Sequence, residues 1–162
     1  MSSARLAAYL AGGTPAGGRV AHVGARDATP PAQSVPILLP GTVFFAGESQ
    51  VWGGGRAYYD PSVSGCTPAR AHLVTVEQFD DIRAQEPPVY DRILDLGTRD
   101  DIPMLTFTSP LGRSAVSTTA PSAAYVDTIA AGIREGHDWD SATIQRYFDE
   151  IAGACSGGGL AR

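Results

Sequence analysis

The chain has 162 residues, with 12 Lys and Arg against 17 Asp and Glu, a formal net charge of −5. That length suits one domain with a sizeable core, and the acidic balance without any Lys/Arg cluster argues against a nucleic-acid surface. Nineteen glycines and 12 prolines with only 18% charged residues point to turns and short strands rather than a helical bundle.

The start of the chain lacks the basic-then-apolar order of a signal peptide, and no apolar run is long enough to span a bilayer. A cytoplasmic location is expected on that basis, with no membrane partner. The two cysteines, Cys66 and Cys155, have no metal-ligand spacing and are too few for a disulfide framework.

Ser2 or Ser3 caps a first helix through Ala11, with Leu6, Tyr9 and Leu10 facing inward and Gly12-Gly13 ending it. Residues 13 to 36 are rich in Gly, Pro and Ala. They read as one long loop, either functional or a mobile surface segment. Short strands follow at 37–39, 42–45, 56–59, 70–74 and 104–108, with another at 115–119. Between them, Thr75-Val76-Glu77-Gln78 has the pattern of a capping box. The helix it opens is expected to run to Glu86, where Pro87 and Pro88 stop it. Ser122 caps a helix to Arg134 with Tyr125 or Val126, Ile129 and Ile133 inward. Asp140 or Ser141 caps a last one with Ile144, Tyr147 or Phe148, and Ile151 inward. The order predicts a single α+β domain over 1–154, built on a mainly antiparallel sheet or small barrel, with a flexible Gly-rich tail at 155–162.

Glu86 is the acid whose position asks for an explanation. At ~100° per residue it shares a stripe with Phe79 and Ile82, so it points where they are buried. Burial and the negative end of the helix dipole both disfavour the charged carboxylate and would raise its pKa. That suits a general base working near neutral pH. A solvated, idle glutamate at a helix end is the plain alternative. Trp52-Gly53-Gly54-Gly55 precedes a strand, and three glycines there imply either a ligand pressed on the backbone beside Trp52 or a tight turn. His22, His72 and His137 have no partners at metal spacing, and His72 reads as structural. Asp80, Asp81, Asp91, Asp95, Asp100 and Asp101 read as a solvated face and loop residues.

Three segments, in this order and spacing, resemble the gamma-glutamylcyclotransferase-like family. They are "FFAGESQVWGGGRAYYDP", "ARAHLVTVEQFDDIRAQE" and "PSAAYVDTIAAGIREG", and the similarity runs from Arg5 to about Tyr147. The resemblance implies a small β-barrel with helices packed around it. It also implies a cofactor-free and metal-free intramolecular aminolysis that turns a γ-glutamyl peptide or amine into 5-oxoproline and a free amine. By the same resemblance Glu86 is the general base and Tyr125 a pocket residue, with Ser122, Trp52 and Gly54 completing the substrate-binding set. Family members begin with a strand and a Tyr-Gly-Ser-Asn turn that cradles the substrate. In this chain that segment would fall before Met1, which leaves a bare sheet edge and predicts weakened activity. A monomer or homodimer acting on a small γ-glutamyl compound is expected. A non-catalytic module that keeps the pocket for a small ligand or protein partner is the alternative. A hydrolase using Cys66 or Cys155 is a third reading.

Overall fold

The computed structural model describes residues 1–156, with side chains through 152. Six strands and four α-helices follow in the order α1 (Ser3–Ala11), β1 (Gln33–Pro40), β2 (Thr42–Ala46), β3 (Arg56–Asp60), β4 (Cys66–Leu73), α2 (Val76–Ala84), β5 (Arg92–Arg99), β6 (Ile102–Thr108), α3 (Ala123–His137) and α4 (Ser141–Ser156). The strands form three antiparallel pairs, β1 with β4, β2 with β3 and β5 with β6. The molecule is therefore α+β with small antiparallel sheets. No helix among the described residues is long and apolar enough to cross a membrane.

Several elements follow directly from their end signals. Ser2 caps α1, its hydroxyl accepting from the Arg5 N–H, and Gly12 ends the helix at φ 79°. Thr75 and Gln78 form a complete capping box at α2, and Ser122 caps α3. The inward stripes hold: Leu6, Tyr9 and Leu10 of α1, Tyr125 and Ile133 of α3, and Ile144, Tyr147 and Ile151 of α4 are buried.

Other boundaries move, each for a physical reason. β1 includes both Pro36 and Pro40 and so absorbs the end of the expected loop. Among the described residues it pairs with β4 alone, and a strand with one open edge tolerates residues that lack an N–H. β4 begins at Cys66, taking in Thr67 and Pro68, which read as a loop from sequence. Strand β5 was not expected. Its partner turn is made by Asp100 and Asp101, both at positive φ (51° and 62°). Aspartate adopts that conformation less readily than glycine or asparagine, so the hairpin signal is faint. The segment 115–119 is not a strand; it follows a 3₁₀ turn (Arg113–Ala115) and makes one bridge, Ala46 to Thr118. α3 extends past Arg134 to His137, and Asp138 closes it in the left-handed conformation. α4 continues through Cys155 and Ser156, so the tail expected from 155 falls, beyond Ser156, outside the described residues.

The strand pair β2–β3 is buried on both faces. Phe45 packs with Trp52, Tyr125, Ile133 and the inward side chains of α4. Phe44, one residue away and so on the opposite face, packs with Ala46, Tyr58, Val89 and Tyr90. A third cluster, Leu6, Tyr9, Leu10 and Ile82, seats α1 against α2. This last contact brings the first helix to the end of α2 and creates the site described next.

Candidate functional site

α2 stops earlier than its pattern implies. It ends at Ala84, Gln85 is its C-cap, and Glu86 lies one residue beyond. The cause is Pro87: the residue before a proline is pushed out of helical geometry. The Glu86 N–H still reaches back to the Arg83 carbonyl at 3.0 Å, so the turn stays tight and the side chain keeps an inward course. Gln85 fixes this end of the helix. Its Nε2 donates to the Tyr9 carbonyl at 3.0 Å, and its Oε1 accepts from the Gly24 N–H at 3.3 Å. Phe79 is half-buried against Phe107, while Gln78 and Ile82 are the fully buried residues of α2.

Glu86 is half-buried and lines a cavity of about 260 Å³. The other walls come from four different parts of the chain. α1 supplies Arg5 and Tyr9, which share a face because they are four residues apart. The turn after β2 supplies Trp52, whose N–H donates to the Ser49 hydroxyl at 3.1 Å. α3 supplies Tyr125, stacked on Trp52 with ring centroids 5.3 Å apart and planes 4° from parallel. The loop at 12–32 supplies Val20 and His22. That loop is pinned rather than trailing: Gly13 bridges to His22, the Arg19 N–H donates to the Val51 carbonyl, and the Gln78 amide binds the Asp27 and Thr29 carbonyls.

The polar groups are linked in series. The Tyr9 hydroxyl donates to Glu86 Oε1, and Arg5 Nη2 donates to the same hydroxyl at 3.3 Å. The Arg5 guanidinium lies over the rings of Tyr9, Trp52 and Tyr125 at 5.8, 5.6 and 5.3 Å. Burial alone would lower its pKa, but Tyr125, Tyr9 and the Glu86 charge outweigh that and hold it above the usual arginine value. Burial pushes the Tyr9 phenol well up, with the Glu86 charge adding to it, so Tyr9 remains a donor. His22 sits 3.9 Å from the Tyr9 ring centroid, and burial depresses its pKa, aided by Arg5 and opposed by Glu86. Its Nε2 is enclosed without a hydrogen-bond partner.

The structure therefore brings together Glu86, Trp52 and Tyr125 of the residues singled out from sequence. Ser122 and Gly54 do not line the cavity. The Ser122 hydroxyl is committed to capping α3, accepting from the Tyr125 N–H at 3.3 Å. Gly54 is crowded by the protein's own backbone: a Cβ there would stand 2.6 Å from the Ala120 carbonyl oxygen, and one at Gly55 would stand 2.1 Å from that of Thr119. The glycine run thus admits the 118–121 segment, which neither a ligand nor a plain hairpin turn had anticipated.

Arg5, Tyr9, His22 and Gln85 were not read from the sequence as site residues, although Tyr9 was read as facing inward. A signal for Arg5 was available, since a charged residue four before Tyr9 lies on the apolar stripe of its helix, as Glu86 does. The other two histidines do not line this cavity: His72 Nδ1 shares a hydrogen bond with the Ser34 hydroxyl at 2.8 Å, and His137 Nε2 contacts the Ala69 carbonyl oxygen at 2.8 Å. Cys66 is an exposed free thiol at the start of β4. Among the described residues no group of three His, Cys, Asp or Glu stands close enough to hold a metal ion.

No family model matches the chain, and no solved structure matches it significantly. Among curated proteins it is similar to histone deacetylase 5 of Arabidopsis thaliana, 28% identical over 187 residues, an alignment covering 90% of this chain and 28% of that protein. The chain thus spans under a third of the length of this relative.

Proposed function

We propose that the chain is a γ-glutamyl cyclotransferase-like enzyme with Glu86 as general base. The observation that carries the reading is the placement of Glu86: a carboxylate that accepts from Tyr9 and lines a small cavity walled also by Trp52 and Tyr125. A cavity of about 260 Å³ is just below the range of drug-sized sites, which suits a ligand the size of one amino-acid unit.

In the proposed reaction the α-ammonium of a γ-glutamyl compound passes a proton to Glu86. The freed amine attacks the γ-carbonyl of the same molecule, a carbon–nitrogen bond closes the five-membered ring, and the bond to the attached amine breaks. Of the three ammonium protons one stays on the ring nitrogen and two end on the expelled amine, Glu86 carrying them. Nucleophile and electrophile are already tethered, so the protein's task is to fold the ligand and move protons. The resemblance that suggests this chemistry also suggests that the small antiparallel sheets belong to a closed barrel.

The test is release of 5-oxoproline from several γ-glutamyl amines and peptides, with Glu86→Gln as control. Product from the unaltered chain and little from the variant is expected; equal product from both removes Glu86 from the mechanism. One observation favours a second reading, a non-catalytic binding module: the Tyr9–Glu86 hydrogen bond also ties α1 to the end of α2. Ligand binding without turnover in the unaltered chain would select it.

A further inference from the structure

We propose that Arg5 is a carboxylate receptor, so that the cavity selects ligands carrying a free α-amino acid group, with the ammonium at Glu86 and the carboxylate at Arg5. The inference deepens the reading above and rests on it for the role of Glu86, but not for the role of Arg5.

Four observations lead to it. Arg5 lines the same cavity as Glu86, and it comes from a different element. Its Nε is enclosed without a hydrogen-bond partner, while the rest of the guanidinium is engaged by the hydroxyls of Tyr9 and Tyr125. An enclosed guanidinium with an unused donor is costly unless something accepts from it. Arg5 and Glu86 do not pair with each other directly. The Tyr9 hydroxyl stands between them, accepting from one and donating to the other, so opposite charges are kept apart inside one small space. Three aromatic rings stand within 5.8 Å of the guanidinium carbon and crowd its movement. A planar donor fork held in place matches a carboxylate in a way an ammonium group does not.

The other basic groups at the cavity are less suited. Arg56 is committed, its Nε donating to the Glu48 carbonyl at 2.6 Å and its Nη1 to the Tyr58 hydroxyl at 3.4 Å. His22 is driven toward its neutral form by burial. A guanidinium and a carboxyl group lining one small cavity, with a single hydroxyl between them, form the complement of a zwitterion.

The experiment removes the carboxylate from the ligand rather than from the protein. L-γ-glutamyl methylamide and its decarboxylated counterpart, 4-aminobutanoyl methylamide, are titrated calorimetrically into the unaltered chain and into the Glu86→Gln chain, which the proposed chemistry leaves unable to turn either over. The decarboxylated ligand is expected to bind at least roughly tenfold more weakly, the loss of one charge-assisted contact. Arg5→Met is expected to erase that preference, bringing the two ligands within about threefold, and Arg5→Lys to restore part of it. Equal binding of the two ligands to a chain that retains Arg5 overturns the proposal, as does failure of both to bind the unaltered chain. Release of 5-oxoproline is followed separately in the chain with Glu86 intact. Carboxylate preference without product leaves the receptor standing and removes the cyclotransfer; product without carboxylate preference does the reverse.

Discussion

Removing a single oxygen, Tyr9→Phe, tests whether the site is wired as described. The hydroxyl donates to Glu86 and accepts from Arg5, and Tyr9 is only 1% exposed. A hydrogen bond to a charged group contributes about 1.5–3 kcal/mol. The contact from Arg5 Nη2, at 3.3 Å, is longer than usual and adds little. A loss of about 2 kcal/mol is therefore expected, read as a lower urea midpoint with unchanged slope. For a domain of this size that corresponds to a fall of roughly 4–8 °C in melting temperature. The same measurement on Glu86→Ala and on the double variant completes a cycle. A coupling of about 1 kcal/mol or more is expected, and additivity within about 0.5 kcal/mol would refute the reasoning, because two residues without direct contact behave that way.

Three further outcomes follow from the packing and the charges. Gly55→Ala places a Cβ against the Thr119 carbonyl oxygen and should cost about 1–3 kcal/mol in denaturant unfolding, whereas the same change at Gly97, where a Cβ meets nothing, should cost no more than the strain of its positive φ. Trp52→Ala removes a side chain 3% exposed and stacked on Tyr125; about 3–5 kcal/mol of stability should go with it, along with ligand affinity. His72 has its pKa lowered to about 4 by burial, then by the nearby amino terminus and Arg70. The unfolded chain takes up that proton near the ordinary value and the folded chain resists it, so stability should fall as pH drops from about 6.5 to about 4. Unfolding midpoints across that window should show a shallower slope in His72→Gln; an unchanged slope would assign the dependence elsewhere.

The helices were legible because their signals are local. A serine or threonine cap, a following glutamine and an inward stripe sit within a few residues of each other, and Ser2, Thr75–Gln78 and Ser122 all act as read. The strand ends were less so. Pro36 and Pro68 lie inside strands because each of those strands has only one partner among the described residues, a fact of tertiary pairing that no local pattern carries. β5 was hidden by a turn of two aspartates. At the site, the direction of Glu86 was visible from helical spacing, though Pro87 moves it just past the helix. What it meets was not visible, since Tyr9 lies 77 residues away and reaches Glu86 only because α1 packs on α2. The glycines at 53–55 announced a close approach, but only the fold shows that the approaching group is the chain's own backbone.

The most direct measurement on the central claim is the rate of 5-oxoproline formation from a γ-glutamyl amine, compared between the unaltered chain and Glu86→Gln at equal folded concentration. Loss of a general base predicts a fall in kcat of roughly 10²–10⁴, with circular dichroism and melting of the variant showing that it is folded. A folded variant that forms 5-oxoproline as fast as the unaltered chain, or an unaltered chain that forms none from any γ-glutamyl compound, would contradict the account.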